Sequence, residues 1–130
     1  MNIEEYREYC ISKNGVTEEC PFGPETLVFK VMGKMFALSG IEDFESINLK
    51  CDPKLALLLR EKYNAVQPGY HMNKAHWNTI IMDGSISDLL LKKWIDHSYN
   101  LVADSLTRKQ REELGFPKYI LEWDLEKVES

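Results

Sequence analysis

A chain of 130 residues, 44% hydrophobic and 28% charged, has the makings of one soluble globular domain that buries roughly two-thirds of its unfolded surface. Its net charge of −5 excludes a protein that is basic overall and weighs against tight nonspecific nucleic-acid binding, whose affinity comes from lysines and arginines displacing phosphate counterions. Cys10, Cys20 and Cys51, odd in number and widely spaced, argue against a disulfide framework, and no apolar run approaches the roughly eighteen residues of a membrane helix.

The N-terminus is acidic rather than basic and then apolar, so it does not read as a signal peptide, and a cytoplasmic location is expected. Asn2 caps a first helix, with Glu5 as its capping-box partner and Ile3, Tyr6 and Cys10 on one face, ending by Asn14-Gly15. Glu18, Glu19 and Glu25 around Pro21-Phe-Gly-Pro24 then predict an acidic loop. Thr26 to Met32 alternates, with Leu27, Phe29 and Val31 on one face and Val28, Lys30 and Met32 on the other, the period of a strand. Gly33 turns it into a second strand, Lys34 to Leu38, whose hairpin tip exposes Lys34 and brings Lys30 near. A third strand follows at Ile47 to Cys51.

Asp52-Pro53 is a helix start, with an acceptor at the cap and proline at the first helical position, and Leu55, Leu58 and Leu59 face the core through about Tyr63. Pro68-Gly69 blocks continuation. Tyr70 to Met72 reads as a fourth strand, Asn73-Lys74 as a turn, and Trp77 to Met82 as a fifth strand closed by Asp83-Gly84. Ser87 or Ser85 caps a long helix to about Leu106, with Leu91, Ile95, Ser98, Val102 and Leu106 along one stripe and Leu90, Trp94 and Leu101 widening it. Thr107 with Gln110 is a second capping box. Gly115 and Pro117 end that short helix, and Phe116 to Ser130 is an extension, read either as an extra edge strand or as an acidic tail.

The predicted order is α-β(3)-α-β(2)-α(2). It makes a two-layer α+β domain over 1–114, a five-stranded antiparallel sheet covered by helices on one side, with the extension at 115–130. Residues 1–25 and 115–130 carry an excess of acids, whereas 26–84 is nearly balanced, leaving room for a local positive patch on the sheet.

The unusual chemistry lies in Pro68-Gly-Tyr-His-Met-Asn-Lys-Ala-His-Trp77. That stretch, with Pro21-Phe-Gly, Gly33-Lys-Met-Phe-Ala37, Asp83-Gly84 and Asp96-His-Ser-Tyr-Asn-Leu-Val102, resembles the MmcQ/YjbR family of small bacterial proteins, over about Ile3 to Leu114. The resemblance implies a fold like the frataxin-type (CyaY-like) and secretion-chaperone folds. It also implies the family's DNA-binding role, through two β-hairpin wings.

His71 and His76 would face each other across a turn, but no carboxylate or nucleophile accompanies them in sequence, which points away from catalysis. With Cys51 they match no common zinc spacing, and no cofactor or metal is expected. Too few carboxylates line up on the first helix for frataxin-like iron binding. Nucleotide-loop, zinc-protease and hydrolase motifs are missing, so the chain reads as a non-enzyme. Trp77 is either core or a stacking platform, and Lys30, Lys34 and Lys74 are either solvated or phosphate contacts at wing tips. The binding surface expected is Lys30, Lys34, Tyr70, His71, Asn73, Lys74, His76 and Trp77. Its ligand is DNA, bound weakly and salt-sensitively, or in the alternative a protein or peptide, by a monomer or weak dimer. A positive stripe would favour the first, an apolar exposed face the second.

Overall fold

The computed structural model describes residues 1–70 and 72–115. His71 and the extension beyond Gly115, with its edge-strand or tail alternatives, lie outside the described residues. The elements are α1 (Ile3–Ile11), β1 (Val16–Glu19), β2 (Thr26–Val31), β3 (Lys34–Gly40), β4 (Ser46–Lys50), α2 (Pro53–Lys62), β5 (Val66–Pro68), β6 (Trp77–Ile81), α3 (Asp88–Asp104) and α4 (Arg108–Leu114). All strand pairs are antiparallel, in the order β1-β2-β3-β4-β6-β5.

The α+β, two-layer reading holds, but the sheet has six strands rather than five. The added strand is β1, where an acidic loop was expected. Val16 to Glu19 lies at the sheet edge, and each carboxylate there finds a base: Glu18 pairs with Arg7 of α1, Glu19 with Lys30 of β2 at 3.3 Å. Charged residues suit an edge strand because one side of the ladder is open to water and repels further pairing.

The fourth strand also shifts. It is Val66–Pro68, not Tyr70 to Met72, because Pro68 cannot donate to a ladder and sits where an edge strand ends. Gly69 follows at a close crossing, where an added Cβ would lie 2.7 Å from Cβ of Trp77 and 2.9 Å from its carbonyl oxygen.

The helix starts follow the local chemistry. The Asn2 side chain accepts from the Glu5 N–H at 2.8 Å while Glu5 accepts from Asn2 N–H at 3.0 Å, and α1 closes at Ser12, before Asn14-Gly15 as expected. Asp52 accepts from the N–H groups of Lys54 and Leu55, Ser87 from that of Leu90, and Thr107 with Gln110 forms the second capping box. Gly115 ends α4 in the left-handed conformation.

The core is one cluster between the helices and one sheet face. Tyr6 and Cys10 of α1, Leu55 and Leu59 of α2, and Leu91, Trp94, Ile95 and Val102 of α3 pack on Phe29, Phe36, Ile47, Leu49 and Ile80. Helix α3 runs about 25 Å along the sheet, at about 1.5 Å per residue. Its fully buried Ser98 ties the layers together: the hydroxyl donates to the Phe36 carbonyl at 2.6 Å and accepts from the Lys50 N–H at 2.9 Å.

The register decides which side chains reach the other face. The β2–β3 turn is Met32-Gly33, both at positive φ, the two-residue turn that matches strand twist. Val31 then faces Lys34, Lys30 faces Met35, and Phe29 faces Ala37, so Phe36 is the extra residue of a β-bulge. Directly opposed residues share a face. Thus Lys34 falls on the helix side with Val31, while Lys30, Met35, Val28 and Leu38 fall on the open side.

Candidate functional site on the open sheet face

The open face is apolar at its centre. Val28 of β2, Leu38 of β3 and Trp77 of β6 form a second small cluster, with Met35 and Met72 packed against it. Trp77, 8% exposed, is mainly a packing residue of this face, opposite Lys50 of β4. A sheet whose two faces both carry large apolar side chains needs something over each. Helices cover one, and the loop after β5 covers part of the other.

That loop is held by α2. The Arg60 guanidinium donates to Asn78 Oδ1 at 2.7 Å, to the Trp77 carbonyl at 3.1 Å and to the Lys74 carbonyl. Gly69 donates to the Trp77 carbonyl at 2.9 Å, and the Tyr70 N–H to Thr79 Oγ1 at 2.9 Å. Asn73 starts a short turn: its carbonyl accepts from the N–H groups of His76 and Trp77, and its Oδ1 from that of Ala75. His76 is exposed, with its carbonyl accepting from the Cys51 N–H at 2.8 Å.

Between this loop and the one joining β1 to β2 lies a groove of about 420 Å³. Met35, Leu38 and Met72 make its apolar floor, Thr26, Ser46 and Asn48 its polar part. Phe22 and Tyr70 line it from the two connecting loops, and at 64% and 69% exposure they are the most open aromatic residues among those described. Asn48 is oriented by Thr79, whose hydroxyl bonds its Oδ1. The size falls within the usual range for binding clefts. By contrast, the internal cavity beside Trp94 and His97 is only about 10 Å³, too small for a ligand.

The predicted site residues divide. Tyr70 lines the groove, Trp77 supports its floor, and Asn73, Lys74 and His76 belong to the adjoining loop. Lys30 shares the open face but is ion-paired with Glu19, which the Thr17 hydroxyl and then Lys30 hold below the usual carboxylate range. Lys74 Nζ donates to the Gly69 carbonyl at 3.2 Å. The surface that would join Lys34 to the Tyr70–Trp77 stretch does not form, because the two-residue turn sets Lys34 opposite Val31 on the helix side, where its Nζ reaches the Ser105 carbonyl at 3.3 Å. A positive stripe through Lys30, Lys34 and Lys74 is therefore broken by the sheet itself.

Phe22, Met35, Leu38, Asn48 and Met72 escaped the sequence reading, as did Arg60. The signal for some of them was present: Val28 opposite a core face made β2 apolar on both sides. Arg60 carried none, since its three acceptors come from a loop and strand more than ten residues away.

Two buried groups nearby are inert at neutral pH. Burial pushes the Cys51 thiol up to about 12, with Asp52 adding to the shift. Burial also lowers His97 to about 4, only partly opposed by Asp52, and its neutral Nε2 accepts from the Asp52 N–H at 3.2 Å. Among the described residues no group of three His, Cys, Asp or Glu side chains is placed to hold a metal ion, and no helix is long and apolar enough to cross a membrane.

Residues 11–101 match the family model described as YjbR. The chain is 46% identical over 92 residues to Uncharacterized protein YbdF of Escherichia coli O157:H7, covering 70% of this chain and 75% of the relative. It is 34% identical over 112 residues to Uncharacterized protein YjbR of Escherichia coli K12, covering 85% and 95%. Among solved structures, Deinococcus radiodurans protein DR2400, described with the domain DUF419, superposes with a TM-score of 0.83 at 37% identity, covering 92% of this chain and 91% of that one. A Pseudomonas syringae protein superposes with a TM-score of 0.67 at 29% identity, covering 78% and 99%.

Proposed function

The chain belongs to the YjbR family, and from that premise we propose that it is a non-enzymatic binding module that takes an extended segment of a partner protein into the groove on the open face of its sheet. The observation that carries this is the pair Phe22 and Tyr70, each mostly exposed, beside a floor of two methionines and a leucine. Isolated apolar surface residues need no explanation, but aromatic residues converging on one apolar concavity mark recognition sites. Methionines suit such a floor because their flexible, polarisable side chains adapt to varied occupants.

DNA binding by two hairpin wings is the other reading, supported by the family resemblance and by Lys34 near one hairpin tip. It asks for free cations on one surface. Lys30, Lys34 and Lys74 each already have an acceptor within the chain, and they do not share a face. The peptide reading is the better supported.

The test uses labelled extended peptides in which leucine alternates with serine, followed by fluorescence anisotropy, with duplex DNA in parallel. Parent protein is expected to bind a leucine-bearing peptide. Phe22→Ala and Tyr70→Ala should weaken that binding at least tenfold, while melting stays within about 0.5 kcal/mol of the parent, as for exposed sites. Tighter binding of duplex DNA than of any peptide, unaffected by the two aromatic variants, would overturn the reading in favour of DNA.

A further inference from the structure

The loops that flank the groove beside Thr26, Gly40 and Ser46 are acidic. Glu25 precedes β2, and Glu42, Asp43 and Glu45 lie in the loop between β3 and β4; all four are exposed. The two loops adjoin: the Ile41 N–H donates to the Glu25 carbonyl at 3.0 Å, and the Asp43 carbonyl oxygen lies 3.3 Å from where a Cβ on Gly40 would be. Gly40, Thr26 and Ser46, which these loops flank, line the groove. Neither loop contains a lysine or arginine, and none of the four carboxylates has an ion-pair partner among the described residues. By contrast, the two acids of β1 are paired, Glu18 with Arg7 and Glu19 with Lys30.

Exposed carboxylates without an ion-pair partner among the described residues, on loops that flank one end of an aromatic-lined apolar cleft, are complementary to a cation with an apolar stem. We propose that the partner segment is basic and apolar, an extended stretch in which arginine or lysine alternates with aliphatic residues, its apolar side chains on the Met35, Leu38 and Met72 floor and a cationic side chain at the Glu25, Asp43 and Glu45 end beside Phe22. The proposal rests on the peptide-binding reading above and adds the sign of the partner's charge. Alternating side chains of an extended strand point to opposite sides, so one segment can present an apolar row to the floor while its cations reach the rim. An aromatic face strengthens the choice of cation, because its quadrupole attracts guanidinium and ammonium groups. The whole molecule, at −5, steers the same partner inward and repels an acidic one.

The experiment compares peptides of one length in which leucine alternates with arginine, with serine or with glutamate, titrated against the full chain and against the combined variant Glu25→Gln, Asp43→Asn, Glu45→Gln. The expected order is arginine, then serine, then glutamate, with the arginine peptide about tenfold tighter than the serine peptide at low salt and the advantage shrinking as salt rises. In the triple variant the arginine peptide should fall to the level of the serine peptide, while the serine peptide is unchanged and melting is preserved. If the serine and glutamate peptides bind as well as the arginine peptide, and binding still depends on Phe22 and Tyr70, the charge assignment is wrong while the peptide site stands. If the arginine preference survives the triple variant, the cation sits elsewhere and the proposal is overturned. If no peptide shows binding that depends on Phe22 and Tyr70, the peptide site and this inference fall together.

Discussion

At the scale of single residues, burial separates His97 and Trp77 from the lysines. Trp77 packs with Val28 and Leu38, and cutting it to alanine leaves a hole beneath Met35 and Met72. Trp77→Ala should therefore destabilise by about 3 kcal/mol or more, read as a lowered denaturant midpoint. Lys34→Ala removes only long, exposed hydrogen bonds to the Ser105 carbonyl and hydroxyl and should stay within about 0.5 kcal/mol. His97 predicts a pH effect. Burial lowers its folded pKa to about 4 from an ordinary 6.5, so between those values the unfolded chain binds the extra proton and folding stability rises with pH. The contribution is fully present above about 6.5 and is lost as pH falls towards 4, an upper limit of about 3 kcal/mol for the interval. Melting temperatures across pH 4 to 7 for the parent and for His97→Gln check this: the variant should show a shallower slope. An unchanged slope would assign the acid sensitivity to other groups.

At the scale of elements, the joint between α3 and the sheet is made by one hydroxyl. Ser98 is fully buried, and it satisfies both the carbonyl of the bulged Phe36 and the N–H of Lys50 where β4 ends. A bulge leaves its extra residue outside the ladder, so the Phe36 carbonyl depends on the helix for a donor. Ser98→Ala leaves two buried backbone groups without partners and should cost about 2 kcal/mol or more, against about 1 kcal/mol for losing the exposed Thr107 cap. Chemical denaturation of both variants gives the comparison. Ser98 was legible only as one position in a helical stripe, since periodicity identifies the buried face but not the acceptor waiting there. The helix starts were legible, with only the choice between Ser85 and Ser87 left open for α3, because a cap and its N–H partners lie within three residues of each other.

At the scale of the whole molecule, the net charge and the divided lysines bear on any nucleic acid. Binding of duplex DNA should be weak and fall steeply between low and physiological salt, because few cations reach phosphate from one face and the remaining charge repels it. Titrating one duplex at two salt concentrations measures this. Nanomolar affinity that persists at physiological salt would require a base-reading surface that the placement of Lys30, Lys34 and Lys74 does not offer. The acidic loops at one end of the groove make the opposite prediction for basic peptides, so one protein preparation separates the two ligand classes.

The sequence by itself determined the α+β class, the helix starts and the stripe of α3, because each depends on residues close together in the chain. The tertiary structure decided what depends on pairing. An acidic run became an edge strand once Arg7 and Lys30 were brought beside it, and the fourth strand moved to Val66–Pro68 because of how it meets β6. The turn at Met32-Gly33 set Lys34 opposite Val31 on the helix side and so divided the expected cationic surface. Phe22 and Tyr70 are 48 positions apart in sequence and share a groove only because their loops approach one sheet face from β1 and β5, at opposite edges. In an antiparallel sheet a shift of one residue exchanges the two faces, and no local pattern records the strand against which that shift is set.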